Sequence, residues 1–211
     1  MTEMAFPHEE DREPRRLSGQ ERRRLLIQAA YRLIAERGFE YLRTREVAAR
    51  AGVNVATLHY YFAGKEQLIQ GVVEHLLEIL SSRGPSQLSE AATPLEHIRS
   101  MFLRIDHLLH EEPEVFIVLS EISLRSLRDE SLRRALHRLE AAWRAYLTPV
   151  VSEGLRCGML RGDLNIEETV TGLIIVIKGL AFHAISGGSS PDIRRLLADL
   201  ERWLQPAARP D

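Results

Sequence analysis

A series of helix-start signals, each followed by apolar residues at helical spacing, constrains the fold of this chain more than any other feature. Ser18 with Glu21, and likewise Thr93 with Glu96, have the spacing of a capping box, in which each side chain accepts a hydrogen bond from the other residue's backbone N–H. Alternating strand patterns are absent from the sequence, and so is the hairpin dipeptide Asn-Gly. We therefore expect an all-α fold.

Nine helices follow from these signals in a chain of 211 residues. Pro149 is expected to bend the seventh, because proline removes one backbone hydrogen bond. Further caps are predicted at Thr44, Asn54, Asp129 and Asn165. The predicted helices cover residues 18–37, 45–51, 55–62, 65–83, 93–110, 113–127, 129–156, 166–185 and 190–204. The predicted units are a disordered N-terminal arm (1–17), a three-helix head (18–64) and a six-helix body (65–211).

Charge separates the head from the body. Residues 15–65 carry eleven Lys and Arg against four acids, whereas residues 66–211 carry sixteen against twenty-one. A basic N-terminal third on an acidic remainder is typical of a DNA-binding head, although the net charge of the whole chain is only −2. The charge distribution therefore favours double-stranded DNA as a partner.

The segment from Thr44 to Lys65 carries the most specific pattern. Two short helices are joined by Ala51-Gly52-Val53-Asn54, in which glycine permits a sharp turn. Small or apolar residues stand where the two helices must pack closely. This is the helix-turn-helix arrangement, whose second helix enters the major groove of DNA by its N-terminal end.

Here the sequence resembles the TetR family of transcriptional regulators. The resemblance covers about residues 20–70 and rests on four runs of sequence. They are Thr44-Arg45-Glu46-Val47-Ala48, Ala51-Gly52-Val53, Thr57-Leu58-His59-Tyr60-Tyr61-Phe62 and Gly64-Lys65-Glu66-Gln67-Leu68. The chain departs from the family at His59, where Tyr is common, at Tyr61, where His is frequent, and at Gly64, where Ser or Asn is usual. The operator sequence is therefore not transferable from other members.

The second helix of the motif is expected to read DNA. Val55 and Ala56 are suited to thymine methyl groups, and His59 to a base edge. By resemblance, Arg45 reads a guanine. Thr44, Thr57, Tyr61 and Lys65 are suited to phosphates, and Tyr60 is either a packing residue or a contact.

The resemblance implies a homodimer built on the last two helices and a ligand pocket among the fourth to seventh. The eighth helix is apolar nearly all round, so we expect it to be buried, and a purely intramolecular core remains the alternative. The predicted interface residues are Leu173, Ile174, Ile177, Leu180, Leu196 and Leu200. The predicted ligand-binding residues are Met101, Phe102, His107, Phe116, Trp143, Tyr146 and Phe182. These suggest a small, largely apolar effector that releases a repressor from a pseudo-palindromic operator.

Other classes of function are less favoured. The sequence has no Gly-rich phosphate loop, no HExxH helix and no nucleophile elbow, so we expect neither an enzyme nor a cofactor. His107 and His110 have near-metal spacing, but a solvated helix end explains them better than a metal site. Residues 170–185 are too short to span a membrane, and one cysteine, Cys157, fits the cytoplasm. A helical protein-interaction module and a constitutive DNA binder remain alternatives.

Overall fold

All of the regular structure in the described residues is helical. The computed structural model describes residues 18–82, 92–187 and 192–207, and within them it has nine α-helices, one short 3₁₀ helix (Phe39–Tyr41) and no strand. The α-helices are α1 Gly19–Arg37, α2 Thr44–Arg50, α3 Val55–Tyr61, α4 Lys65–Ser82, α5 Pro94–Glu111, α6 Glu114–Ser126, α7 Glu130–Arg156, α8 Ile166–Ile185 and α9 Ile193–Leu204. The all-α prediction is confirmed; the predicted disordered arm lies outside the described residues.

The helix starts follow the predicted caps with two exceptions. In the first capping box, Ser18 N donates to Glu21 Oε2 at 2.7 Å and Glu21 N donates to Ser18 Oγ at 3.2 Å. Thr44 does not cap α2: it is the first helical residue, and the preceding Arg43 makes no side-chain capping bond. Asp192 caps α9, two residues after the predicted start at Ser190, which lies outside the described residues. Pro149 lies inside α7, which remains one helix.

The head is built around α1. The buried face of α1 includes Leu26, Ala30 and Ile34, and the α2–α3 unit contributes Val47 and Leu58 to the same core. Two ion pairs on the surface, Arg37 with Glu46 at 3.0 Å and Arg50 with Glu36, join α2 to the end of α1. The two short helices are thus held on a longer one by packing inside and charge pairs outside.

The body is arranged around α7, which packs against α4, α5, α6 and α8. Both α4 and α6 also pack against α1, and they are therefore the helices through which body and head are joined. The C-terminal α9 packs on α5, where Arg99 forms a bidentate pair with Glu201 at 2.8 and 2.9 Å. A backbone bond from Arg161 N to Leu204 O, 2.9 Å long, holds the end of α9.

Helix α8 differs from the sequence-based expectation. With 20 residues it is long and apolar enough to cross a bilayer, so length does not exclude a span as the shorter run 170–185 suggested. One face is buried in the body through Val170, Leu173, Ile174 and Ile177. The opposite face is exposed, including Ile175 at 62% and Phe182 at 65%. The helix is therefore buried on one side only within a single chain.

Candidate nucleic-acid interface and ligand cavity

The turn between α2 and α3 has a geometry that requires glycine. Gly52 adopts a φ of 67°, in the left-handed region that L side chains disfavour. Around it, Ala51 N donates to Val47 O and Val53 N donates to Ala48 O, both at 3.0 Å. These bonds use the last carbonyls of α2 and fix the direction in which α3 leaves the turn.

Helix α3 is held by its cap and by its inner face. The side-chain oxygen of Asn54 accepts from Thr57 N at 2.7 Å and from the Thr57 hydroxyl at 2.8 Å. Leu58 and the following Phe62 are 0% and 1% exposed. These two buried side chains anchor α3 in the head, and the other positions of α3 are half-buried or exposed.

Most predicted DNA contacts lie on the outer side of α3. Ala56 and His59 are exposed, and Val55 and Thr57 are half-buried. Tyr60 is 83% exposed and touches the half-buried Tyr61 edge to face, with ring centroids 5.1 Å apart. Tyr60 is therefore not a core residue, which removes one of the two roles left open for it.

The predicted contacts outside α3 have different surroundings. Arg45 is exposed on the first turn of α2, and Thr44 is half-buried beside it. The Lys65 ammonium lies 3.5 Å from the carbonyl oxygen of Phe39. Burial, with a smaller effect from Arg125, lowers the pKa of Lys65. Lys65 thus contacts a backbone carbonyl of the head itself, and the spacing of residues in the sequence did not indicate this contact.

Sequence reasoning missed one basic residue at this surface. Arg22 of α1 lies beside α3. It lines a groove with a volume of about 510 Å³ together with Asn54, Thr57 and Tyr60. The run Arg22-Arg23-Arg24 was visible in the sequence, but only the folded structure places the first of the three beside α3. A cation beside hydroxyls and exposed rings is the chemistry that binds phosphate groups.

A cavity of about 580 Å³ lies between α6, α7 and α8. This is within the range of small-molecule sites in proteins. Most of its lining is apolar, with three serines and four ionisable residues. The lining residues are Phe116, Leu119, Ser120, Ser123, Leu124, Ser126, Arg133, Leu136, His137, Leu139, Glu140, Trp143, Ile177, Lys178, Ala181 and Phe182.

Three of the seven predicted ligand residues line this cavity: Phe116, Trp143 and Phe182. The other four do not. Met101 and Phe102 lie on the buried face of α5, and His107 on the same helix is exposed. The Tyr146 hydroxyl is hydrogen-bonded to His97 Nδ1 at 2.8 Å. The cavity therefore involves α8 rather than α4 and α5, because all of its lining residues lie on α6, α7 and α8.

Helix α6 contacts the head with a different face from the one that lines the cavity. Glu121 Oε2 accepts a hydrogen bond from Phe39 N at 3.4 Å. The Arg125 guanidinium lies 4.9 Å from the centroid of the Phe39 ring. Phe39 follows Gly38, whose φ of 81° ends α1 just before α2 begins. Helix α6 thus forms one wall of the cavity and also contacts Phe39, in the segment that precedes the helix-turn-helix unit.

Most of the predicted dimer residues are buried within the protomer. Leu173, Ile174, Ile177, Leu180 and Leu200 are each 7% exposed or less, and Leu196 is half-buried. Five of the six therefore have little surface left to offer a second copy. The free apolar surface of the same helices is the outer face, which we define as Gly172, Ile175, Gly179 and Phe182 of α8 with Trp203 of α9. Trp203 is 64% exposed.

The comparisons with known proteins agree across both parts of the chain. Residues 26–72 match the model of bacterial regulatory proteins, tetR family, and residues 94–208 match that of the BetI-type transcriptional repressor, C-terminal. The HTH-type transcriptional regulator BetI of Brucella canis is 40% identical over 183 residues, 87% of this chain and 89% of that protein.

Solved structures share the fold. A TetR-family regulator from Rhodococcus sp. superimposes with a TM-score of 0.77 at 22% identity, covering 87% of this chain and 98% of that one. A transcriptional regulator from Saccharomonospora viridis, crystallised with choline, gives 0.76 at 23% identity, covering 87% and 96%. At these identities the likeness concerns the fold alone.

Proposed function

The chain belongs to the TetR family of bacterial regulatory proteins, and from that premise we propose that it is a homodimeric, ligand-released repressor that acts on a pseudo-palindromic operator in the cytoplasm. It is a transcriptional regulator and not an enzyme. The observation that carries the proposal is the outer side of α3, where exposed residues follow a well-capped helix start on a basic head. A recognition helix needs this combination, because its N-terminal residues must reach base edges while phosphates are neutralised around it.

The proposed base contacts are Val55, Ala56 and His59 on α3, with Arg45 on α2. Around them, the proposed phosphate contacts are Thr44, Thr57, Tyr60, Tyr61 and Lys65, to which the structure leads us to add Arg22. Because Lys65 is also close to the Phe39 carbonyl, we expect it to contribute less to phosphate binding than Arg22 does. Phosphate contacts set the register of the head on DNA, whereas base contacts set the sequence that is read.

We propose that two copies pair through the outer face of α8 and α9. The large apolar side chains Ile175, Phe182 and Trp203 are 62–65% exposed on α8 and α9, and a monomer would leave them in water. A two-fold interface places two heads side by side, which is the arrangement that a pseudo-palindromic operator requires. The glycines at 172 and 179 have no neighbouring atom within 4 Å of an added Cβ, so they leave room for close approach of a partner helix.

The cavity supports regulation by a small molecule. Ligand entry between α6, α7 and α8 would displace α6, and α6 holds the Phe39 turn through Glu121 and Arg125. Since two recognition helices fit the major groove at only one separation, a small movement of each head weakens binding. A coupling free energy of about 1–3 kcal/mol would lower operator affinity roughly 5- to 150-fold.

The test begins with selection of a preferred duplex from random sequence, followed by fluorescence anisotropy over a range of salt concentrations. Arg22→Gln should weaken binding to all duplexes and lower the salt slope by about one unit, because one counterion-releasing contact is lost. His59→Ala should instead change preference at one base pair in each half-site by about 1–3 kcal/mol. Arg32→Gln is the matched control, because Arg32 is an exposed arginine about three turns further along α1.

Three outcomes would contradict the proposal. Absence of salt-dependent duplex binding would assign the head to contact with another protein. Preferred duplexes without two-fold symmetry would contradict the dimeric mode of reading. Equal effects of Arg22→Gln and Arg32→Gln would remove the proposed surface beside α3 from the DNA interface.

A further inference from the structure

The cavity between α6, α7 and α8 lies in a basic region of an otherwise acidic body. Residues 125–144 contain six arginines against three acidic residues, while residues 66–211 as a whole have more acids than bases. Three basic side chains, Arg133, His137 and Lys178, line the cavity against one carboxylate, Glu140. The local field at this cavity therefore favours an anion over a cation.

The inner wall of the cavity is apolar, whereas its rim holds charged side chains beside the exposed Leu124 and Phe182. The side chains of Arg133 and Lys178 are 44% and 52% exposed, which places them at the rim. Phe116, Trp143 and Ile177 are between 1% and 7% exposed, which places them at the inner wall. A site with a basic rim and an apolar interior suits a molecule that has an acidic head and an apolar tail.

The pairing of Lys178 with Glu140 can be exchanged. Lys178 Nζ donates to Glu140 Oε2 at 2.7 Å, and Arg144 Nη2 donates to Glu140 Oε1 at 3.1 Å. An incoming carboxylate that takes Lys178 leaves Glu140 paired with Arg144, so no charge is left without a partner. An incoming ammonium would have to compete with both Lys178 and Arg144 for Glu140, and it would then lie beside uncompensated cations.

Arg133, the arginine at the rim, links the cavity to the end of α6. Arg133 donates to the carbonyl oxygens of Ser126 and Leu127, both at 3.3 Å, and to Glu130 at 2.8 Å. The two carbonyl bonds are longer than the usual range for N–H···O bonds. A stronger, charged acceptor at the rim would compete well for Arg133 and would loosen its hold on α6.

We propose that the effector of this protein is an anionic amphiphile, with its carboxylate at the rim formed by Lys178, Arg133 and His137 and its alkyl chain against Phe116, Trp143 and Ile177. This inference rests on the proposed function, since it names the ligand class of the same cavity. The regulator from Saccharomonospora viridis was crystallised with choline, a cation, and binding of a cation here is the competing outcome.

Isothermal titration calorimetry on the full chain tests the inference with three probes of equal chain length: decanoate, 1-decanol and decyltrimethylammonium. Decanoate should bind most tightly, and nonanoate about fourfold more weakly than decanoate, because one methylene less is buried. Lys178→Gln should weaken decanoate at least tenfold while leaving 1-decanol nearly unchanged, since a charge-assisted hydrogen bond is lost. Glu140→Gln should tighten decanoate, because Lys178 loses its internal competitor.

Arg138→Gln is the matched control, because it removes an exposed positive charge from α7 that does not line the cavity. It should leave decanoate affinity within twofold of the original. The inference is overturned if decyltrimethylammonium binds more tightly than decanoate, if Glu140→Gln weakens decanoate, or if no probe binds. Thermal melting of each variant separates loss of binding from loss of folding.

Operator binding, measured with and without decanoate, separates this inference from the proposed function. If operator is bound and decanoate is not, the ligand class is wrong while the DNA-binding function stands. If decanoate binds through Lys178 but operator affinity does not change, the ligand class is supported and the proposed regulation by that ligand fails.

Discussion

Two adjacent isoleucines on α8 should respond in opposite ways to the same substitution. Ile175 is 62% exposed on the outer face, whereas Ile174 is 2% exposed and buried in the protomer. We expect Ile175→Asp to give a folded monomer and Ile174→Asp to destabilise the protomer itself. The pair is its own control, because position along the helix, residue type and added charge are nearly the same.

The magnitudes follow from burial. Full burial of an isoleucine side chain contributes about 1.5–3 kcal/mol, so the exposed part of Ile175 would contribute about 1–2 kcal/mol per protomer in a dimer. An aspartate there also leaves an unpaired buried charge, at about 3–5 kcal/mol per copy. Two copies cost at least about 6 kcal/mol, which raises the dimer dissociation constant about 10⁴-fold. For Ile174→Asp, we expect a loss of about 4–5 kcal/mol, which is a large part of the free energy of unfolding of a typical protomer.

Size-exclusion chromatography with light scattering at micromolar concentration measures mass, and far-ultraviolet circular dichroism measures melting. Ile175→Asp should have the mass of one chain and a melting curve that no longer depends on concentration. A dimeric Ile175→Asp would mean that the interface is elsewhere. A stable, folded Ile174→Asp would refute the burial argument for the inner face of α8.

Three further predictions concern packing, coupling and pH. Gly71→Val should cost about 1–3 kcal/mol in thermal stability, because a Cβ there would lie 2.9 Å from an isoleucine of α1, whereas Gly64→Ala, with open space around it, should not. Glu121→Ala should leave decanoate affinity unchanged in calorimetry but reduce the effect of decanoate on operator affinity, and an unchanged effect would remove α6 from the coupling route. The Lys178 ammonium donates a hydrogen bond to Glu140 and so lowers the pKa of this carboxyl group. The contribution of Glu140 to stability is present above its unfolded-state pKa and is lost as pH falls through its folded-state pKa. Glu140→Gln should therefore make the melting temperature depend less on pH on the acid side.

Most helix positions could be predicted because helix starts depend on local chemistry. The side chains of Thr93, Asp129 and Asn165 each accept a bond from a backbone N–H two or three residues further on, so the sequence alone determines the cap. Thr44 is one of the two exceptions, since a residue suited to capping became the first residue of the helix. The helix-turn-helix could be predicted for the same reason, because its turn, cap and anchors lie within about twenty residues of one another.

The cavity and the dimer face could not be predicted in the same way, because they depend on contacts between distant segments. Phe102 and Phe116 are equally plausible pocket residues in the sequence, and only the packing of α6, α7 and α8 separates them. Helix α8 is apolar on nearly all sides, so periodicity does not distinguish Ile174 from Ile175. Lys65 likewise has its partner 26 residues away, at the Phe39 carbonyl.

The short length of α3 determines how specificity would be lost on heating. With 7 residues, α3 is well below the roughly 12–15 that an isolated helix needs, so it exists only while Leu58 and Phe62 are buried in the head. Its amide protons should therefore exchange with solvent at the rate set by opening of the whole head rather than through fraying of their own. The DNA-contacting surface of α3 is therefore either fully formed or lost together with the head. As temperature rises, the fraction of molecules with a folded head falls, while the DNA sequence that each folded molecule recognises stays the same.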